Sequence, residues 1–346
     1  MKISTQLGYS GGFHDTVSEV RELEQAGLDT VWVAEAYGFD AVSLMGYLAA
    51  ETETVEIASG ILPIYTRTPT LLAMTAAGVD ALSGGRAMLG IGASGPQVIE
   101  GFHGVAYDAP VTRTREIIEI CRKVWKKERV TYEGKKYQLP LQGGTGLGKP
   151  LKMITNPVRD EIPITVAALG PKSVEMTAEL ADGWLPIFYL ASKAKQRWGG
   201  PLAAGAARRD PNRKPLEVYA GGAVGIGVGL EGLRDMGRPM AALYIGGMGA
   251  RGKNFYNELF SSYGYEKEAA EIQDLYLAGK KPEAAAAIPQ SFIDATTLIG
   301  PEGFVRDRLA ELRESGVNCL NVSLVGRDLK ERIKTLDQLR NLVATS

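Results

Sequence analysis

Cysteine and histidine are scarce in this chain, with two of each in 346 residues. Cys121 and Cys319 lie far apart in apolar runs and are expected as buried thiols rather than a disulfide. His14 and His103 stand alone and no CxxC is present, so no metal-ligand spacing exists. Net charge is close to nil at -1, which removes any global field for nucleic acid or an anionic membrane. No apolar run approaches bilayer length, and Met1 leads straight into KISTQLG without a basic and apolar leader. A cytoplasmic protein acting on a small molecule is expected, with no nucleic-acid and no membrane partner. A Ser-His-Asp set, a P-loop and a GxGxxG turn after the first strand are also missing.

What the chain does have is glycine, 42 residues of it, and a regular alternation of short apolar runs with amphipathic segments. Strands are expected over residues 2–7, 30–34, 56–61, 87–91, 164–168, 183–187, 216–228 and 318–324. Helices are expected over 15–26, 40–50, 69–82, 112–126, 172–181, 301–315 and 329–343, with one more ending at the polar turn 209–212. In the first of these, Val17, Val20, Leu23 and Ala26 share one face, and Gly27 ends it. Residues 130–138 read as a hairpin with Gly134 in its turn. Eight strands with alternating helices indicate an α/β fold of the (β/α)8 barrel type, one domain over 1–346. An open doubly wound sheet is the alternative. Residues 230–289 break the rhythm and read as a mainly helical insertion carrying Tyr244, Phe255, Tyr256, Phe260, Tyr263 and Tyr265. These aromatics are expected in a core, at a homo-oligomer contact, with a dimer expected, or along a hydrophobic pocket.

In parallel α/β sheets, ligands sit at the carboxyl ends of the strands. Several such ends here carry little side chain. The third strand breaks at Ser59-Gly60-Ile61, which reads either as a β-bulge or as a strained, cis peptide against a ring system. The fourth opens into Gly92-Ala93-Ser94-Gly95. The fifth leads through Ala168-Leu169-Gly170-Pro171 into a helix with Lys172 in its first turn. Free N–H groups and the helix dipole there suit a phosphate, although a plain proline-initiated helix gives the same pattern. Glu35 ends the second strand after four largely apolar residues. It is either a structural acid tying loops together or a group of the site that handles a proton. Arg67 would reach a cofactor rim or solvent, and His103 would be a packed or surface residue. Few acid–base groups sit at strand ends, so the chemistry is expected to belong to a bound cofactor.

Taken in order, several pieces resemble the luciferase-like monooxygenase superfamily, in particular its deazaflavin-dependent oxidoreductases related to methylenetetrahydromethanopterin reductase. The carriers are Trp32-Val33-Ala34-Glu35, Ser59-Gly60-Ile61, Pro63-Ile64-Tyr65-Thr66-Arg67-Thr68-Pro69 and Leu82-Ser83-Gly84-Gly85-Arg86 before Leu89-Gly90-Ile91-Gly92. Thr112 to Glu116, the 132–137 hairpin, and Gly170-Pro171-Lys172 before Glu179-Leu180-Ala181-Asp182-Gly183-Trp184 complete the set. The resemblance implies a barrel with coenzyme F420 at the carboxyl ends of the strands, FMN being the alternative. It implies a non-prolyl cis peptide at Gly60–Ile61 behind the ring. It further implies that residues 92–95 pass along the cofactor and that Gly170, Pro171 and Lys172 hold its phosphate. The activity implied is hydride transfer between the deazaflavin C5 and an organic substrate. An FMN-dependent monooxygenase and a non-catalytic cofactor-binding barrel are the rivals. The strand-two end reads Glu35-Ala36-Tyr37, without the histidine common in relatives, so no histidine proton relay is expected there.

Overall fold

The computed structural model describes residues 1–8 and 12–345. Eight parallel strands close on themselves. They are β1 Lys2–Gln6, β2 Thr30–Val33, β3 Glu56–Ser59 and β4 Ala87–Gly92. They continue as β5 Ile164–Ala167, β6 Gly183–Trp184, β7 Glu217–Ile226 and β8 Cys319–Leu324. Each pairs with the next, β6 pairs with β7, and β8 returns to β1, so the open doubly wound alternative is excluded. A (β/α)8 barrel results, as the alternation of apolar runs and amphipathic helices demands.

The helix Pro69–Leu82 falls on the expected residues because both ends carry local signals. Thr68 accepts a hydrogen bond from the Leu71 N–H, and Pro69 occupies the first helical position. The helix Ala41–Glu51 starts likewise on Asp40, which accepts from the Ser43 N–H. Strand ends fall a little short of expectation: β3 stops at Ser59, β6 spans two residues, and the 130–138 hairpin reduces to Tyr132–Glu133 against Gln138–Leu139. No helix among the described residues is long and apolar enough to cross a membrane. Both cysteines are free and buried, as expected, with burial raising each thiol to about 12.

Inside the barrel Trp32, Ala58, Met88, Tyr219 and Cys319 form their own cluster, apart from the larger core between strands and helices. The Trp32 and Tyr219 rings meet edge to face at 5.0 Å across the interior. The Trp32 indole N–H donates to the Ser4 hydroxyl at 2.8 Å, so the tryptophan is fully buried yet satisfied. Gly90 is required by close approach: a Cβ there would lie 1.7 Å from the Ser59 carbonyl oxygen.

The irregular segment after β7 extends further than the periodicity suggested. It ends with the helix Gln290–Ala295 and the strand Leu298–Gly300, which pairs with β7. Asn254 organises it. Its amide donates to the Tyr244 and Ile245 carbonyls, and its oxygen accepts from the Tyr256 and Asn257 N–H groups. Phe260, Tyr265 and Phe292 stack and cross within 4.8–6.1 Å, so Phe260 and Tyr265 are spent on the segment's own core.

Candidate functional site

Barrel closure brings the three bare strand ends side by side. Leu62 and Pro63 pair with Ile91 and Gly92, and Gly92 in turn pairs with Ala167. The ends of β3, β4 and β5 therefore form one continuous stretch of rim. The Gly60–Ile61 peptide is cis. The Gly60 N–H donates to the Val33 carbonyl at 2.8 Å, which ties the end of β3 to β2. A Cβ on Gly60 would lie 3.0 Å from the Trp32 Cβ, so bulk there would press first on the barrel interior. Ser59 is wholly buried. Its hydroxyl donates to the Gly90 carbonyl at 2.8 Å and accepts from the Gly90 N–H at 2.9 Å, holding β3 against β4.

Beyond β4, Ser94 adopts a left-handed φ of 56° and Gly95 starts the short helix Pro96–Gly101. The Tyr107 hydroxyl donates to the Ser94 carbonyl, and burial raises that phenol to about 12. Tyr107 packs on Tyr65 with ring centroids 5.1 Å apart, and the Arg113 guanidinium lies 5.5 Å from the Tyr65 centroid.

At β5 two indoles fix the turn. Trp184 donates to the Ala168 carbonyl at 2.9 Å, and Trp198 donates to the Leu169 carbonyl at 3.0 Å. Gly170 then starts the helix Pro171–Leu180 with no side-chain cap. The N–H groups of Lys172 and Ser173, in its first turn, have no acceptor within the helix, and Lys172 is exposed.

Glu35 has a specific arrangement. Arg67 grips it with two nitrogens, at 2.5 and 2.9 Å, and the Ala41 N–H donates to it at 2.9 Å. Both side chains are largely buried, at 9% and 15% exposed. The pair joins the loop after β2, the loop after β3 and the start of the next helix, as a loop-tying acid would. Arg67 thus faces a carboxylate rather than solvent. The two residues are 32 apart in sequence, and nothing in the intervening chain signals the pair. His103 is half-buried, and its Nε2 is buried with no protein partner.

Exposed aromatics at the rim were not visible as a group in the sequence. Tyr37 follows β2 and Phe102 follows β4; they are 64% and 65% exposed, with centroids 6.3 Å apart. From the insertion only Tyr244 joins them, packed on Phe188, which follows β6, at 5.8 Å.

A family model described as luciferase-like monooxygenase matches residues 1–319. A Mycobacterium tuberculosis protein whose name places it among coenzyme F420-dependent oxidoreductases is 40% identical over 93% of this chain and 95% of its own. The 5,10-methylenetetrahydromethanopterin reductase of Archaeoglobus fulgidus is 26% identical over 97% of both chains. Among solved structures, the coenzyme F420-dependent tetrahydromethanopterin reductase of Methanopyrus kandleri superposes with a TM-score of 0.80, at 20% identity, over 97% of both chains. The chain belongs to the luciferase-like monooxygenase family, among relatives that include the coenzyme F420-dependent oxidoreductases.

Proposed function

We propose that the protein binds coenzyme F420 on the rim formed by β3, β4 and β5 and exchanges hydride with an organic substrate. The supporting observation is the make-up of that rim: Gly60, Gly92 and Ala168 stand at three adjacent strand ends, the Ile61 side chain packs over Gly92, and an uncapped helix N-terminus follows. A flat ring system needs close approach to backbone, and an anionic tail needs donors; the rim offers both. When bound, F420 supplies a two-electron hydride centre, with a proton exchanged separately by the substrate. The residues assigned to it are Ser59, Gly60, Ile61, Gly92, Ala93, Ser94, Gly95, Ala168, Leu169, Gly170, Pro171 and Lys172. Ser59 acts from behind, by holding the two strands together. The phosphate is assigned to Gly170, Pro171 and Lys172. Proline contributes shape and no N–H. Glu35 has both carboxylate oxygens engaged, so its assigned part is to set Arg67 and the rim. Titrating the purified protein with F420 and with FMN, followed by fluorescence, tests the reading. Tighter F420 binding is expected. Equal or tighter FMN binding, or oxygen consumption with reduced FMN, overturns it in favour of a monooxygenase. F420 binding without turnover on any substrate favours a carrier.

The same proposal treats 1–346 as one barrel domain acting as a homodimer. The favoured contact is the pair of helices after β2 and β3 rather than the insertion. In Pro69–Leu82 the one charged residue, Asp80, is buried, while Leu71, Met74 and Leu82 are exposed. In Ala41–Glu51 the one charge is the terminal Glu51. An outer helical face without charge is unusual in water and resembles an interface core. Light scattering on the wild type and Met74→Glu tests this: a wild-type monomer removes the dimer, and an unbroken Met74→Glu dimer moves the contact elsewhere.

A further inference from the structure

The chain's net charge of -1 conceals one strongly basic stretch. Residues 122–152 hold nine Lys and Arg against two acids, Glu128 and Glu133, and residues 134–159 hold no acid at all. Folding gathers part of this stretch into one patch. The helix Pro110–Trp125 carries the chain from the end of β4 back toward the start of β5, so its last turn lies at the amino end of the barrel, away from the rim. Just past that turn the Val130 N–H donates to the Leu151 carbonyl at 2.9 Å, and Lys127 donates to the Asn156 side chain. Residues 126–130 and 151–156 therefore lie side by side. The loop between them closes on itself: a Cβ on Gly148 would lie 3.4 Å from the Pro140 Cβ. Lys126, Arg129, Lys149 and Lys152 are exposed and form no ion pair among the described residues. The one acid among them, Glu128, faces Lys123 at 3.5 Å.

Aliphatic side chains stand out of the same patch. Ile154 is 98% exposed, Leu147 84% and Leu151 67%. Single exposed apolar residues are ordinary, but three in one short stretch, interleaved with unpaired cations, mark a surface that meets something. Charge and apolarity together narrow what that is. A second copy docked face to face would bring the same positive charge and be repelled. A nucleic acid would answer the charge and leave the aliphatics unburied. A lipid interface rewards both at once, because headgroups attract the cations while the acyl boundary takes up the aliphatics.

We infer that this patch docks on an anionic lipid surface, with Lys126, Arg129, Lys149 and Lys152 at the headgroups and Leu147, Leu151 and Ile154 in the acyl boundary. The stems of the long cations lie along the aliphatics while their charged ends stay in the headgroup layer. The rim of β3, β4 and β5 then faces away from the lipid, so docking does not depend on the cofactor reading.

Cosedimentation of the full-length protein with phosphatidylcholine vesicles, with and without an equal share of phosphatidylglycerol, tests the inference. Binding to the mixed vesicles and not to the neutral ones is expected, and high salt is expected to release most of it. Lys126→Ala and Lys152→Ala are each expected to weaken binding about fivefold, the worth of one basic residue at an anionic surface. Ile154→Ser, which leaves the charge unchanged, is expected to weaken it about threefold to tenfold. F420 affinity and melting temperature are expected to hold in all three variants, since the changes are exposed and far from the rim. Absence of binding to the mixed vesicles, or equal binding to the neutral ones, overturns the inference. Binding that follows the two lysines but ignores Ile154→Ser also overturns it, and makes the patch a site for an acidic protein or nucleic acid.

Discussion

The two ends of the barrel are built on opposite plans. At the amino end, five of the eight strands have a backbone N–H at or next to their first residue held by a side-chain oxygen from a neighbouring loop or helix. Asp29 takes the Ile3 N–H, Glu24 takes Val55, Asp80 takes Ala87, Asp182 takes Ile164 and Asn318 takes Val218. Lys2 lies between Glu56 and Glu217 at 3.0 and 3.6 Å, and Glu56 also accepts from Thr30. At the carboxyl end β4 finishes on Gly92, and the neighbouring β3 and β5 are followed directly by Gly60 and Ala168. The comparison teaches where this chain keeps its stability and where it keeps space. Tying strand starts together at one end leaves the other free to stay open, as barrels generally divide the two tasks.

The largest expected effect comes from breaking a staple. Asp80 is fully buried and is paired with Arg159, which also donates to the Ala87 carbonyl. Arg159→Met leaves that carboxylate without its cation, and stability is expected to fall by about 3–5 kcal/mol, read as a lower urea midpoint. F420 affinity of the folded fraction should stay within about twofold, below the error of adding distant sites. A parallel loss of affinity would mean that the two ends are coupled.

The converse change is Lys172→Glu at the open end. It sets a like charge beside the proposed phosphate and is expected to weaken F420 by about 1–3 kcal/mol, about 5- to 150-fold. The melting temperature should barely move, since exposed substitutions stay within about 0.5 kcal/mol. Unchanged F420 affinity in the folded variant would place the phosphate elsewhere.

Glu35→Gln sharpens the comparison, because Glu35–Arg67 is a staple placed at the open end. The amide keeps the shape but sets an N–H against a donor, for an expected loss of about 1–2 kcal/mol in stability. If Glu35 only positions the rim, the pH profile of turnover keeps its shape. A lost ionisation in that profile would make it the proton-handling group.

The smallest effect is expected in acid. Burial alone would raise the Glu24 carboxyl, but the N–H groups of Thr54, Val55 and Glu53 more than reverse this and hold it below its ordinary 4.5. A lowered carboxyl contributes stability above the unfolded value and loses it as pH falls through the folded one. Wild type should therefore exceed Glu24→Gln at neutral pH, and the two denaturation curves should converge as pH drops below 4.5. A gap that persists in strong acid would show that the carboxylate charge is not what holds residues 53–55.

Much of the scaffold was legible because its signals are local. The helix Pro69–Leu82 announces both its ends, through Thr68 and Pro69 before and Ser83-Gly84 after. The small residues at Gly60 and at 92–95 are readable for the same reason: a chain that approaches a neighbour or ligand closely must shed its side chain at that residue. The insertion was legible only in part. Its broken rhythm was plain, but the helix Gln290–Ala295 and the strand Leu298–Gly300 lie beyond the expected boundary, because their apolar residues pack on other parts of the segment and on β7 rather than on a periodic face.

Local pattern was enough to settle the alternation of strands and helices, the barrel class and the bare strand ends. Partners between distant residues were decided by closure of the barrel. Only that closure sets Arg67 on Glu35, turns two tryptophans onto the carbonyls of Ala168 and Leu169, and pairs Tyr37 with Phe102 and Phe188 with Tyr244. The physical reason is range. A cap or a turn acts over three or four residues of chain, whereas these contacts join segments whose separation is fixed by the tilt and register of eight strands, to which every part of the sequence contributes.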